Sequence, residues 1–172
     1  MVKSGNFVLH LHLEKKQLML HLFGVHEQKV DIKGRVLFPS ALKKQLVSVV
    51  TEGFVLKRSI FERCLELYPM PQWQIEMQGV NKLNRFVRKN NDFIRLFMAG
   101  VKIVELDDAG RLLIPRDLIQ WAGIDKEVVL ASSINRIEIW DKTLYETSLS
   151  EKSANFGDLA EDVMGDQKPE DK

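Results

Sequence analysis

Short apolar runs bounded by Asp, Gly and Pro dominate the chain, and helical spacing becomes extended only in its middle and near its end. Residues 23–30 predict a strand that runs into a turn at 31–34. Residues 35–38 predict a second, short strand. Pro39 suits the first turn of a helix, where its missing N–H costs little. That helix places Leu42 and Leu46 on one face and Lys43 and Lys44 on another. Residues 54–57 and 64–68 then predict paired strands around a turn at 59–62. The same order returns later: strand 101–106, turn 107–110, strand 111–114, a helix from Pro115 carrying Leu118, Ile119 and Ala122, and strands 127–131 and 137–140. Gly123 suits that helix's C-terminus.

The repetition reaches single residues. D-I-K-G-R-V-L-F-P at 31–39 recurs 76 residues later as D-D-A-G-R-L-L-I-P at 107–115. Asp31 and Asp107 favour a turn because a carboxylate accepts hydrogen bonds from the N–H groups that follow it. Gly34 and Gly110 supply the positive φ such a turn requires. The units also end alike, as L-E-L-Y at 65–68 and I-E-I-W at 137–140. A unit of about 45 residues is near the size at which an isolated core becomes marginal. Two such units therefore predict one pseudo-twofold body.

Between the repeats, Pro69, Pro71, Gln72 and Trp73 open a helix with Trp73, Met77 and Val80 at helical spacing. A second helix, residues 82–98, is predicted to set Leu83, Phe86, Val87, Ile94 and Phe97 on one side. Lys82, Arg85 and Lys89 fall on another, read first as a solvated face and second as a partner or nucleic-acid contact. Asp141 can cap a last helix through Leu149, residues 156–164 suit one or two further helical turns, and 165–172 reads as disordered. At the other end, 7–13 alternates in part like a strand and Met19 offers an alternative start. The resulting division is an N-terminal extension (1–20), repeat one (23–69), a helical insert (70–99), repeat two (101–144) and an acidic C-terminal tail (145–172).

Composition changes this picture in two places. The apolar and charged fractions, 45% and 28%, suit a folded core, and 172 residues suit one ordinary domain or two small ones. Net charge is only +1, yet from Asp141 onward nine acids and four lysines give −5, so the preceding 140 residues carry +6. A basic body with an acidic tail is compatible with phosphate binding. The single Cys64 excludes an intrachain disulfide and a cysteine metal cluster, which fits a reducing cytoplasm. No apolar run is long enough to span a bilayer.

Catalytic chemistry is sparse. There is no phosphate-binding glycine loop of either common type and no G-x-S-x-G elbow. The four histidines (10, 12, 21, 26) lack accompanying cysteines. Cys64 sits inside an apolar strand and reads as core. Asp31 and Asp107 are explained by their turns without an acid/base role. The chain is thus expected to be no enzyme, with no cofactor, metal or small-molecule substrate. Arg35 and Arg111 remain. Each can pair with the Asp four residues earlier and stiffen its hairpin. Each can also present a fixed guanidinium to guanine edges or phosphates, and the two roles are compatible. Lys33, Lys43 and Lys44 add phosphate candidates, the two helix lysines being read first as solvated. Lys33 has Ala109 as its counterpart, which predicts that the first turn contributes more to phosphate binding.

Two D-x-x-G-R-[apolar]₃-P units, each closing in apolar-Glu-apolar-aromatic, resemble the MraZ family, bacterial regulators of the division and cell-wall gene cluster. Supporting stretches are C-L-E-L-Y-P (64–69), R-L-F-M-A-G (95–100), A-G-I-D-K-E-V-V-L (122–130) and N-R-I-E-I-W (135–140). The resemblance implies an α+β, mainly β fold: a tandem AbrB-like swapped-hairpin, double-psi-like β-barrel with a helical insert. It implies a homo-oligomeric ring that binds direct repeats in the promoter of its own operon as a repressor, and a cytoplasmic, nucleoid-associated protein. The family's D-x-x-x-R element, implicated in DNA contact, falls on Asp31/Arg35 and Asp107/Arg111. An antitoxin-type interaction protein on the same barrel is the alternative, motivated by the acidic tail.

Overall fold

A computed structural model describes residues 20–165. The readings at residues 7–13 and Met19, and that of the end beyond Gly165, lie outside the described residues. In chain order the elements are β1 (Val25–Lys29), β2 (Arg35–Leu37), α1 (Ser40–Gln45), β3 (Phe54–Arg58), β4 (Leu65–Pro69), α2 (Met70–Asn81), α3 (Arg88–Met98), β5 (Lys102–Val104), β6 (Arg111–Leu113), α4 (Arg116–Ala122), β7 (Glu127–Ser133), β8 (Arg136–Asp141), α5 (Lys142–Ser153) and α6 (Phe156–Met164).

All strand pairings are antiparallel. One sheet runs β1-β7-β8-β4-β3-β5, and β2 and β6 form a second, two-stranded ribbon. Exchanging the two repeats leaves this pattern unchanged. β1 of the first repeat pairs with β7 of the second, and β5 of the second pairs with β3 of the first. Each repeat therefore lends its first strand to the other, the swapped-hairpin arrangement, within an α+β fold. Leu42 and Leu46 after β2, and Leu118 and Ala122 after β6, join Phe54, Leu56, Leu65, Leu67, Val128, Leu130, Ile137 and Ile139 in one shared core. Neither repeat could bury these side chains alone.

The other face of the large sheet is covered in two halves. Val55 and Tyr68 pack against Trp73, with Phe97 stacked on Trp73 at 5.8 Å. Cys64, Val129, Ala131 and Trp140 pack against Leu144 and Tyr145. The helix that follows β4 and the helix that follows β8 thus hold equivalent places. Asp141 caps α5, accepting from the backbone N–H of Thr143 and of Leu144.

Several boundaries differ from expectation: α5 runs on to Ser153, β7 runs on to Ser133, and β5 is confined to Lys102–Val104. Gly24, at φ +114°, delays β1 to Val25. Pro39 and Pro115 stand at the N-caps, their extended ψ carrying strand into helix. The helix expected over 82–98 begins only at Arg88. There the Asn84 side chain accepts from the Phe86 N–H at 2.9 Å, and Asn90 Nδ2 donates to the Asn84 carbonyl at 2.9 Å. These local bonds compete with the helix and turn the chain. Leu83, Phe86 and Val87 consequently share no helical face with Ile94 and Phe97, and Lys82, Arg85 and Lys89 form no single stripe.

At the symmetry centre of the large sheet, β4 and β8 set Glu66 directly opposite Glu138. Like charges in that relation are unfavourable. Trp140 Nε1 donates to Glu138 at 2.9 Å, while Glu66 is held from several sides. Lys57 Nζ donates to Glu66 Oε2 at 2.9 Å, Tyr68 Oη to the same oxygen at 3.2 Å and Ser59 Oγ to Oε1 at 3.2 Å. The Arg136 guanidinium lies 3.7 Å from Oε1. Lys57 and Glu66 are 1% and 7% exposed, so this is a buried ion pair under Phe97. Burial, followed by the Glu66 charge, pushes the Tyr68 phenol up.

Candidate nucleic-acid interface

The two Asp turns are built alike, atom for atom. Asp31 Oδ1 accepts from the backbone N–H of Lys33 and of Arg35, both at 2.9 Å, and Oδ2 accepts from Arg35 Nε at 2.6 Å. Asp107 Oδ1 accepts from the N–H of Ala109 at 3.0 Å and of Arg111 at 2.9 Å, and Oδ2 from Arg111 Nε at 2.8 Å. Backbone bonds close each turn: Asp31 N to the Arg35 carbonyl at 3.0 Å, and Asp107 N to the Arg111 carbonyl at 2.9 Å. Both carboxyls are held below the usual carboxylate range, chiefly by the backbone N–H of the Arg and then by its side chain. The carboxylate thus sets the turn with one oxygen and aims a guanidinium with the other. Only Nε is used, so the two Nη groups of each Arg make no hydrogen bond among the described residues.

The glycines are required but not equally constrained. Gly34 and Gly110 have φ +83° and +73°. A Cβ on Gly34 would meet the Ile114 carbonyl oxygen at 2.8 Å and Ile119 Cδ1 at 2.9 Å, whereas on Gly110 it would meet only Lys43 Nζ at 3.6 Å. Gly110→Ala is expected to cost about 1–2 kcal/mol for the left-handed backbone alone, and Gly34→Ala more. Urea unfolding of the two variants checks that order.

The ribbon between the turns joins the two sites. Val36 and Leu112 are cross-strand partners, both buried. Arg35 lies opposite Leu113, and Leu37 opposite Arg111. By the alternation of a strand, these four side chains share the other face. Leu37 and Leu113 are 55% and 52% exposed there. The two arginines occupy diagonal corners, with backbones on the order of 7–8 Å apart. Leu37 and Leu113 were legible only as members of an apolar triplet; the period-two alternation after each Arg was the signal that they face outward. Ile32, 95% exposed beside Lys33, was also missed. Its counterpart Asp108 differs in kind, so only the mismatch between repeats marks it.

Other candidates resolve differently. Burial, with a smaller contribution from the Glu138 charge, pushes the Cys64 thiol up to about 12, which keeps it protonated near neutrality. The described residues contain no group of three or more His, Cys, Asp or Glu suited to a metal ion. No helix among them is long and apolar enough to cross a membrane.

The sequence model of the MraZ protein family, described as antitoxin-like, matches residues 22–96 and 97–166, one half after the other. The chain belongs to the MraZ family. The protein named Transcriptional regulator MraZ in Christiangramia forsetii is 60% identical over 147 residues, covering 86% of this chain and 95% of its own length. Its namesake in Flavobacterium psychrophilum is 59% identical over 144 residues, covering 84% and 92%. That of Cytophaga hutchinsonii is 36% identical over 147 residues, covering 86% and 97%. Both MraZ halves take in an Asp turn, its Arg and the helices that follow the last strand.

Proposed function

We propose that this protein is a sequence-specific DNA-binding transcriptional regulator of the MraZ type, cytoplasmic and nucleoid-associated. It represses its own operon, the division and cell-wall gene cluster, by binding promoter direct repeats as a homo-oligomeric ring. The observation that carries this reading is the ribbon with two Asp-aimed arginines on one exposed face. A two-stranded ribbon fits the major groove of B-DNA, and a guanidinium can bridge guanine O6 and N7. The names of the relatives, which are those of regulators rather than enzymes, support the reading. Arg35 and Arg111 are the base readers, Lys33 and Lys43 phosphate contacts, and Asp31, Gly34, Asp107 and Gly110 the groups that shape and orient. One ribbon offers few base contacts, so affinity comes from several copies engaging successive repeats.

The test is a titration of the DNA upstream of the protein's own gene, with direct repeats intact or scrambled, at two salt concentrations. Tight binding that is lost on scrambling is expected. Equal binding to both, however salt-dependent, would leave only phosphate attraction and reject sequence reading.

The antitoxin-like description of the family and the acidic C-terminal segment favour one second reading, a DNA-binding antitoxin whose tail holds a toxin. Deleting residues 148–172 would then abolish co-purification of a partner and spare DNA binding by the body.

A further inference from the structure

The strand exchange mixes the two repeats at each turn. The Phe38 N–H donates to the Gly110 carbonyl at 2.9 Å, and the Ile114 N–H to the Gly34 carbonyl at 2.9 Å. The chain leading into α1 therefore runs beside the second turn, and the chain leading into α4 beside the first. The helix residues that reach the turns are equivalent in the repeat, Lys43 and Ile119, 76 positions apart. Ile119 Cδ1 packs toward Gly34, and Lys43 Nζ lies against Gly110. Lys43 is exposed and makes no ion pair among the described residues, including with Asp107 or Asp108.

The cations of the two turns are thus distributed crosswise. The first turn carries its own Lys33 and receives an apolar Ile119. The second carries Ala109, with Asp108 beside it, and receives Lys43 from the other repeat. We infer that Lys43, set against the Gly110 turn of the opposite repeat, forms a phosphate-binding subsite for the DNA backbone at the second turn, so that both turns bind phosphate. This rests on the DNA-binding reading above and changes the expectation, drawn from Lys33 and Ala109 alone, that the first turn dominates.

The experiment measures the salt dependence of operator affinity for the full chain and for K33A, K43A, K44A and K43A/A109K. Each phosphate contact contributes about 0.9 to the slope of log affinity against log salt. K33A and K43A should each flatten the slope by about that amount per engaged turn. K44A, one residue away on the same short helix, should leave it unchanged. A109K, which gives the second turn its own lysine, should restore the slope in the K43A background. A slope unaltered by K43A, a K44A effect equal to that of K43A, or no rescue by A109K would overturn the subsite while wild-type sequence discrimination stood. Loss of that discrimination in the wild type would overturn the DNA reading itself, and the subsite with it.

Discussion

Glu66→Ala is expected to lower the stability of the protein by about 3–5 kcal/mol, the usual cost of leaving one member of a buried ion pair alone. Lys57 is 1% exposed, and Glu66 is the carboxylate that accepts a hydrogen bond from its ammonium at 2.9 Å. Without it, the buried Lys57 ammonium keeps the Arg58 carbonyl as acceptor but loses its counter-charge, and the half-buried Arg136 loses the carboxylate 3.7 Å away. In a chain of this size the loss corresponds to a fall in Tm on the order of 10 °C. Glu66→Gln, which keeps an acceptor without the charge, should fall between. Replacing both members, as in Lys57→Met with Glu66→Leu, should recover most of the loss, because an apolar pair carries no desolvation cost. A Glu66→Ala variant within about 1 kcal/mol of wild type in urea unfolding would mean the pair does not hold the symmetry centre of the sheet.

The second large effect concerns recognition. Arg35→Ala and Arg111→Ala should each remove about 1–3 kcal/mol of operator binding per lost specific contact, roughly 5- to 150-fold. Copies of the chain on one DNA multiply that loss. The fold should tolerate both changes, since each guanidinium is partly exposed and the turn keeps the bonds from Asp to backbone N–H. Arg→Lys at either position should rescue little: an ammonium keeps the charge but not the planar fork. Equal rescue by Lys would assign these positions to phosphate attraction instead of base reading.

How much of this was legible in the sequence depended on the distance over which each feature is determined. The Asp turns are set within five residues, by a carboxylate and a glycine, and their doubled spelling exposed both. The apolar-Glu-apolar-aromatic endings identified equivalent strands, which the sheet sets directly opposite each other. What the spelling could not carry was which strand pairs with which. The loan of β1 to β7 and of β5 to β3 joins residues about a hundred and about fifty positions apart, and no local propensity encodes it. For that reason the proximity of Lys43 to the second turn, and the burial of Lys57 with Glu66, gave no signal. Lys57 sits in a strand whose outer face becomes interior only when α2 and α3 cover it. The break at Asn84 failed differently: its apolar spacing is helical, but side-chain bonds from Asn84, Asn90 and Asn91 override it.

The central claim is that the paired arginines read sequence. It is tested most directly by the ratio of affinities for repeat-bearing and scrambled duplexes, measured at one salt concentration for the wild type and for the Arg35→Ala/Arg111→Ala variant. A large wild-type ratio that collapses toward one in the variant, with weak salt-dependent binding, fold and assembly state retained, is the predicted result. A ratio that survives the double substitution in a folded, assembled protein would contradict it.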